Sequence, residues 1–297
     1  MSSSLEPAVW NEWHVLCALT DLAHGEVNYT ALLGEPIGIL RRNDGEVLVW
    51  RSNGAAGRDP GREAVGRQPL AVRQHCGYVW TTLGTPAHEL FDVPEYSEPD
   101  RRIVHAGTFG VHVSAPRAVE NFLDLAHFPF VHGGYLGVEP HTEVKDYDVA
   151  VSGDQREIIA RRCRFYQPRA SLAAKQGFEV EYVYRVPHPY CSILYKSCAL
   201  DPTRNDVIAI FTRPLSEERV SASLFLAALD HEHTDLELRH YQQLIFGQDK
   251  PILENQRPRR LPLDPTAELS VRADRSSVAY RRWLHERGVR YGTIAQP

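Results

Sequence analysis

Apolar positions along the first hundred residues come in short runs separated by polar turns, the spacing of strands rather than helices. Residues 27–33, 37–40, 47–50 and 78–82 predict strands, the second and third flanking a turn at Arg41-Arg42-Asn43-Asp44-Gly45. Residues 54–66, rich in Gly, Arg and Pro, carry no periodicity and predict a loop. The acidic, proline-bearing stretch 86–100 predicts a boundary near residue 90, dividing the chain into 1–90 and 91–297.

A strand over 103–113 opens the second part. From Pro116 the period changes: Val119, Phe122, Leu123 and Ala126 fall at helical spacing, with proline well placed at a helix start. Strand-like runs follow at 144–151, 158–165, 178–186, 192–196, 207–212 and 221–229 and predict one long antiparallel sheet. Residues 234–246 predict a helix broken at Gly247 and Pro251, and 278–287 a last one. The fold class is α+β, a curved sheet with helices segregated to one side.

On the helix from Pro116, Glu120, Asp124 and His127 fall at i, i+4 and i+7 on the face opposite the apolar stripe. His132 follows five residues later, turned away by about 140° on an ideal helix. Pro129 lies between the two and is expected to end the helix, letting the chain swing His132 back towards His127. Two ordinary surface or core histidines would show the same spacing. Further on, a helix resumed after Gly247 would carry Ile245, Asp249, Ile252 and Leu253 on one face. A carboxylate among buried aliphatics is costly unless paired or bound to a cation. Alternatively, the break makes Asp249 a helix N-cap. Two imidazoles and one carboxylate form the facial triad of non-haem Fe(II) oxygenases. Zinc hydrolases use similar donors, but their H-E-x-x-H signature is absent.

Composition narrows the classes. Histidine is well supplied, at 14 in 297 residues, which favours a search for ligands. With 43% hydrophobic and 24% charged residues the chain is globular, and a net charge of −5 leaves no basic footprint for nucleic acid. No apolar run approaches the roughly 20 residues that span a bilayer. The first ten residues lack a basic n-region, so neither membrane nor secretory signal is expected and the protein reads as cytoplasmic. Five cysteines without a C-x-x-C pair argue against a disulfide framework and predict isolated buried thiols. Asp230-His231-Glu232-His233 reads as a solvated cap rather than a metal site. For His141-Thr142-Glu143, an H-x-acid pattern, no matching distal histidine is identifiable. Tyr182, Tyr184, Tyr190 and Tyr195 either line a pocket for a planar ring or are simply core.

The stretch Glu120-Asn121-Phe122-Leu123-Asp124-Leu125-Ala126-His127-Phe128-Pro129-Phe130-Val131-His132 resembles the E-N-x-x-D-x-x-H-x-x-x-x-H iron motif of Rieske-type non-haem iron oxygenases. Asp249 with Ile252-Leu253-Glu254 resembles their third-ligand segment. The resemblance implies Fe(II) held by His127, His132 and Asp249, electrons reaching the iron through Asp124, and Asn121 near the metal. It implies a Rieske-like β domain followed by a helix-grip catalytic domain, and assembly of trimer type, homo- or hetero-oligomeric. Family members also carry C-x-H and C-x-x-H pairs that hold a [2Fe-2S] cluster. Here the single cysteine between Trp50 and Val79 is Cys76, preceded by His75, while Leu32-Leu33-Gly34-Glu35-Pro36 and Gly77-Tyr78-Val79-Trp80 still look like the scaffold. A degenerate, cluster-less β domain is therefore expected.

That loss makes the chain similar to the cluster-less catalytic subunits of bacterial methylxanthine N-demethylases, which take the N7 methyl from 7-methylxanthine. The supporting stretches include Arg101-Arg102-Ile103-Val104, Leu136-Gly137-Val138-Glu139-Pro140, Val271-Arg272-Ala273-Asp274 and Tyr280-Arg281-Arg282-Trp283-Leu284. The resemblance implies a terminal oxygenase component that uses O2 to demethylate a small methylated heterocycle. It would be fed by an NAD(P)H reductase and a Rieske-containing reductase or oxygenase subunit. O-demethylation or ring hydroxylation of an aromatic acid is the alternative activity. From another class, a non-catalytic ligand-binding or regulatory subunit would need no metal.

Overall fold

A computed structural model describes residues 7–52 and 69–295. The loop expected at 54–66 lies outside the described residues. The N-terminal part holds the four-residue helix α1 (Pro7–Trp10) and six strands: β1 (His14–Ala18), β2 (Val27–Leu32), β3 (Glu35–Arg41), β4 (Val47–Arg51), β5 (Val72–His75) and β6 (Tyr78–Thr81). They form two three-stranded sheets, β1-β6-β5 and β2-β3-β4. Strands β1 and β5 were not read from the pattern: only Val72 in β5 is a strong strand former, and β1 has no clean alternation. The strand expected over 27–33 stops at Leu32, because Leu33 and Gly34 take φ of 51° and 82° and make the two-residue turn into β3.

The large sheet has seven antiparallel strands in the order β7-β13-β12-β11-β10-β9-β8. They are β7 (Arg102–Val111), β8 (Asp148–Val151), β9 (Ile158–Gln167), β10 (Phe178–His188), β11 (Cys191–Ser197), β12 (Asn205–Ser216) and β13 (Arg219–Ala228). Each expected strand of the second part is present, with ends moved by a few residues. Alternate side chains go to opposite faces. Ile193, Ala209, Phe211, Phe225 and Ala227 pack with Trp13, Tyr78 and Trp80 of the N-terminal part, while Tyr182, Tyr184, Leu194 and Leu224 turn to the helices. Both faces are therefore covered, which is why β13 reads as a nearly continuous apolar run.

Four helices belong to this second part: α2 (Ala115–Leu123), the single turn α3 (Phe128–Val131), α4 (Asp235–Asn255) and α5 (Arg275–Glu286). Helix α2 packs on β11 to β13, α4 on β7, and α5 on β8 and β9. This is the expected α+β arrangement. Two helical expectations are corrected. Helix α2 ends at Leu123, so Ala126 lies beyond it. Helix α4 is one piece of 21 residues through Gly247 and Pro251. Its start is secured by Thr234, whose Oγ1 accepts the Glu237 N–H while Glu237 accepts the Thr234 N–H. Pro251 loses its bond to the residue four back, but that residue is Gly247, with no side chain to hinder the backbone's tilt, and buried Phe246 and Leu253 hold the helix on the core. Among the described residues no helix is long and apolar enough to cross a membrane. All five cysteines are free thiols, four of them buried.

Candidate metal centre

Ser114 caps α2, accepting the Arg117 N–H, and Pro116 lies in its first turn. Asp124 ends it. Its backbone is extended, and its Oδ1 accepts the Ala126 N–H at 2.7 Å, an Asx turn that redirects the chain. His127 follows this turn and Pro129 lies in the first turn of α3, so the expected break is real but lies before Pro129 rather than at it. Asp124 and His127 consequently meet across a turn and not along a helical face. Glu120 faces elsewhere, into a largely buried ion-pair cluster with Arg117, Arg281 and Glu268.

From opposite sides, α3 and α4 bring three donors together. His127 Nε2 lies 3.1 Å from His132 Nε2 and 3.3 Å from Asp249 Oδ1, and His132 Nε2 lies 3.1 Å from the same oxygen. Asp249 is 8% and His132 1% exposed, and the unbroken α4 makes Asp249 a mid-helix residue rather than an N-cap. Ile245 and Leu253 flank it as expected, but Ile252 is turned to solvent. Asn121 donates from Nδ2 to Asp249 Oδ1 at 3.1 Å.

The outer partners decide what these atoms can bind. His127 Nδ1 lies 3.1 Å from Asp124 Oδ2, and His132 Nδ1 lies 2.9 Å from Gln248 Oε1. Both oxygens only accept, so both Nδ1 atoms carry the proton and both Nε2 atoms present lone pairs. Two imidazole lone pairs and a carboxylate oxygen thus face one another at 3.1–3.3 Å, an arrangement that calls for a cation between them. Edges of this length are those of one coordination face with metal–ligand bonds of about 2.0–2.2 Å. Burial alone would lower the His127 pKa, but the Asp124 and Asp249 carboxylates outweigh it and push it up to about 9. Burial would raise Asp249, yet the two imidazoles facing its carboxylate bring it down to about 2.

A cavity opens from the triad between the sheet and α4, lined mostly by apolar side chains that include Phe122, Phe128, Tyr182, Tyr184, Leu224 and Phe246. Tyr190 and Tyr195 belong elsewhere. Tyr190 is core, donating to the Tyr291 carbonyl, and Tyr195 packs with the cluster on the sheet's other face. Asp230 accepts the backbone N–H groups of Glu232 and His233 and pairs with the His233 ring, the expected cap before α4. The His141 ring packs on Tyr166. Among the described residues, His127, His132 and Asp249 are the group of three donors placed to share one ion. Two residues of the site were missed from sequence. Gln248 carried one available signal, its place beside Asp249 on a helix. Lys196 carried none, since a lysine on a strand usually faces water.

The C-terminal domain family of vanillate O-demethylase oxygenases matches residues 111–290. A probable methylxanthine N7-demethylase, NdmC, of Pseudomonas sp. (strain TJI-51) is 42% identical over 285 residues, 96% of either chain. The methylxanthine N1-demethylase NdmA of Pseudomonas putida is 26% identical over 71% of this chain and 58% of its own. The structure of Pseudomonas putida CBB5 NdmA with caffeine superposes with a TM-score of 0.71 at 21% identity, covering 92% of this chain and 89% of that one. That of dicamba monooxygenase bound to 3,6-dichlorosalicylic acid reaches 0.74 at 16% identity over 95% and 99%. Since the family model spans more than half of the chain and the resemblance to NdmC nearly the whole of it, this protein belongs to the Rieske-type non-haem iron oxygenases, with the methylxanthine N-demethylases among its relatives.

Proposed function

We propose that the chain is the terminal oxygenase component of a multi-component monooxygenase that removes an N-methyl group from a methylated N-heterocycle such as 7-methylxanthine. The observation that carries this reading is the triangle of two imidazole lone pairs and one carboxylate oxygen at the end of an apolar cavity, in a chain 42% identical to a methylxanthine N7-demethylase relative. Fe(II) held by His127, His132 and Asp249 supplies O2 activation. In the overall reaction two electrons and two protons reduce one oxygen atom to water, and the other enters a C–H bond of the methyl group. The resulting carbinolamine breaks its C–N bond to give the free amine and formaldehyde.

The chain's own residues bind, orient and exclude water. Asp124 and Gln248 keep the Nδ1 protons of the two histidines in place and aim Nε2 inward. The Asn121 amide fixes the Asp249 carboxylate. Phe122, Phe246 and the tyrosines Tyr182 and Tyr184 enclose a planar ring in a water-poor space. Asp124, whose side chain is the most exposed of the carboxylates here, is the point at which electrons arrive. With one cysteine between Trp50 and Val79, this chain holds no [2Fe-2S] cluster of its own, and electrons come from NAD(P)H through a Rieske-containing partner. The family resemblance supports a cytoplasmic location and an oligomer of trimer type.

The test is anaerobic Fe(II) loading followed by aerobic turnover of methylxanthines and methoxybenzoates with a Rieske-bearing reductase. Demethylated xanthine and formaldehyde in equal amounts are expected. Turnover of the methoxybenzoates alone, or full activity with a reductase that lacks any Rieske centre, would overturn the reading.

A further inference from the structure

Lys196 is out of place. It sits on β11 opposite Tyr182 of β10, so both side chains leave the same face of the sheet and line the cavity. The residue is 4% exposed. Its Nζ donates to the Ala170 carbonyl and lies 5.7 Å from the Tyr182 ring centroid, and it forms no ion pair among the described residues. Asp206 is the neighbouring counter-charge, but one of its oxygens accepts the Leu229 N–H. An ammonium with three donors thus spends one of them on a backbone carbonyl, with Asp206 directly across from it on β12, in the wall of a mostly apolar cavity whose polar lining also includes Asp230. Burial lowers its pKa to about 8, against the opposing pull of the Asp206 carboxylate. Ser171, next to Ala170 and in the same wall, has a buried Oγ with no partner among the described residues.

The position of this group relative to the triad follows from ring contacts. His132 touches Phe128 at 6.0 Å between centroids, Phe128 touches Tyr182 at 6.0 Å, and Lys196 lies beyond Tyr182. The triad and Lys196 therefore line one cavity, linked through Phe128 and Tyr182 in its wall, and a planar ring held in it can present its methyl group to the triad and another edge to Lys196. Resting on the proposed N-demethylation, we propose that Lys196 is the specificity-determining anchor for a ring oxygen of the substrate, remote from the methyl group that reacts. The substrate class is a planar methylated heterocycle bearing a carbonyl, or an imide oxygen that takes up negative charge. An oxygen there accepts the donors the protein leaves unused, and a ring without it leaves a buried ammonium unsatisfied.

The experiment measures anaerobic binding of 7-methylxanthine, 7-methylpurine, which lacks both carbonyl oxygens, and 3-methoxybenzoate to the Fe(II)-loaded protein and its Lys196→Met variant. Methionine keeps the length and removes the charge but leaves Asp206 without its counter-charge, so a lower thermal unfolding midpoint is expected and binding is compared at a temperature where both proteins are folded. The unmodified protein is expected to prefer 7-methylxanthine over 7-methylpurine, and the variant to lose about 10- to 100-fold in affinity for the former and little for the latter. Equal loss for both rings, or no loss for either, would overturn the anchor while leaving formaldehyde release from 7-methylxanthine as support for N-demethylation. Charge-dependent binding of 3-methoxybenzoate alone would overturn the N-demethylation reading and keep Lys196 as an oxygen anchor. Binding of none of the three overturns both.

Discussion

Gln248 Oε1 lies 2.9 Å from His132 Nδ1, and the next residue on the same helix is Asp249, whose Oδ1 lies 3.1 Å from the other nitrogen of that ring. Adjacent residues of α4 thus grip one imidazole from both sides. Replacing Gln248 with leucine frees the ring to turn and to take the other tautomer, so Fe(II) affinity is expected to fall about 10- to 100-fold. Competition with a chelator of known affinity measures it, and an unchanged constant would show that His132 is held by packing alone.

Asp124→Asn separates positioning from electron delivery. Both carboxylate oxygens accept an N–H, from Ala126 and from His127. Asparagine has one such oxygen and must turn its amide towards the other donor. Iron affinity is therefore expected to drop about tenfold. Turnover of the fully loaded variant with its Rieske partner should fall by orders of magnitude more. A loss of turnover that only tracks iron content would leave Asp124 the positioning role alone.

Arg281 donates to both Glu120 and Glu268, at distances down to 2.5 Å, in a cluster that also holds the 3%-exposed Arg117. Arg281→Met leaves two carboxylates facing one arginine in a poorly solvated place. Unfolding in urea is expected to show a loss of about 3 kcal/mol or more. Iron binding at saturating Fe(II) should survive, since the cluster does not touch the triad. A change under 0.5 kcal/mol would mean that solvent reaches the cluster.

His14 is fully buried, donates from Nε2 to the Val9 carbonyl, and lies with its ring 5.4 Å from that of His188. Burial lowers its pKa to about 4 and that of His188 well below the usual range. Between pH 6.5 and 4 the unfolded chain therefore binds more protons than the folded one, and stability falls as the pH falls through that window. His14 alone accounts for about 3 kcal/mol. Urea midpoints at pH 7 and 4.5 for the unmodified protein and for His14→Phe check this: the variant should lose less stability across the interval, and an equal loss would remove His14 from the account.

The sequence by itself determined the large sheet and the donor set. Alternating apolar residues in β10 and the nearly continuous apolar run of β13 specify strands whichever neighbours they find, and the His127, His132 and Asp249 motif states which atoms are available to a metal ion. Asp124 also encoded its own turn, because its side chain competes with the helix for the backbone N–H of Ala126.

Tertiary structure decided the rest. Gly247 and Pro251 are local breakers, yet packing of Phe246 and Leu253 on the core carries α4 through them, which puts Asp249 and Gln248 on opposite sides of His132. Glu120 has the spacing of the iron motif but is drawn away by Arg281, some 160 residues distant in the chain. Lys196 is drawn inside because both faces of its sheet are covered. Period and propensity act within a few residues, whereas desolvation and charge pairing depend on what the fold brings from far along the chain, and those are the forces that shape the ligand end of this cavity.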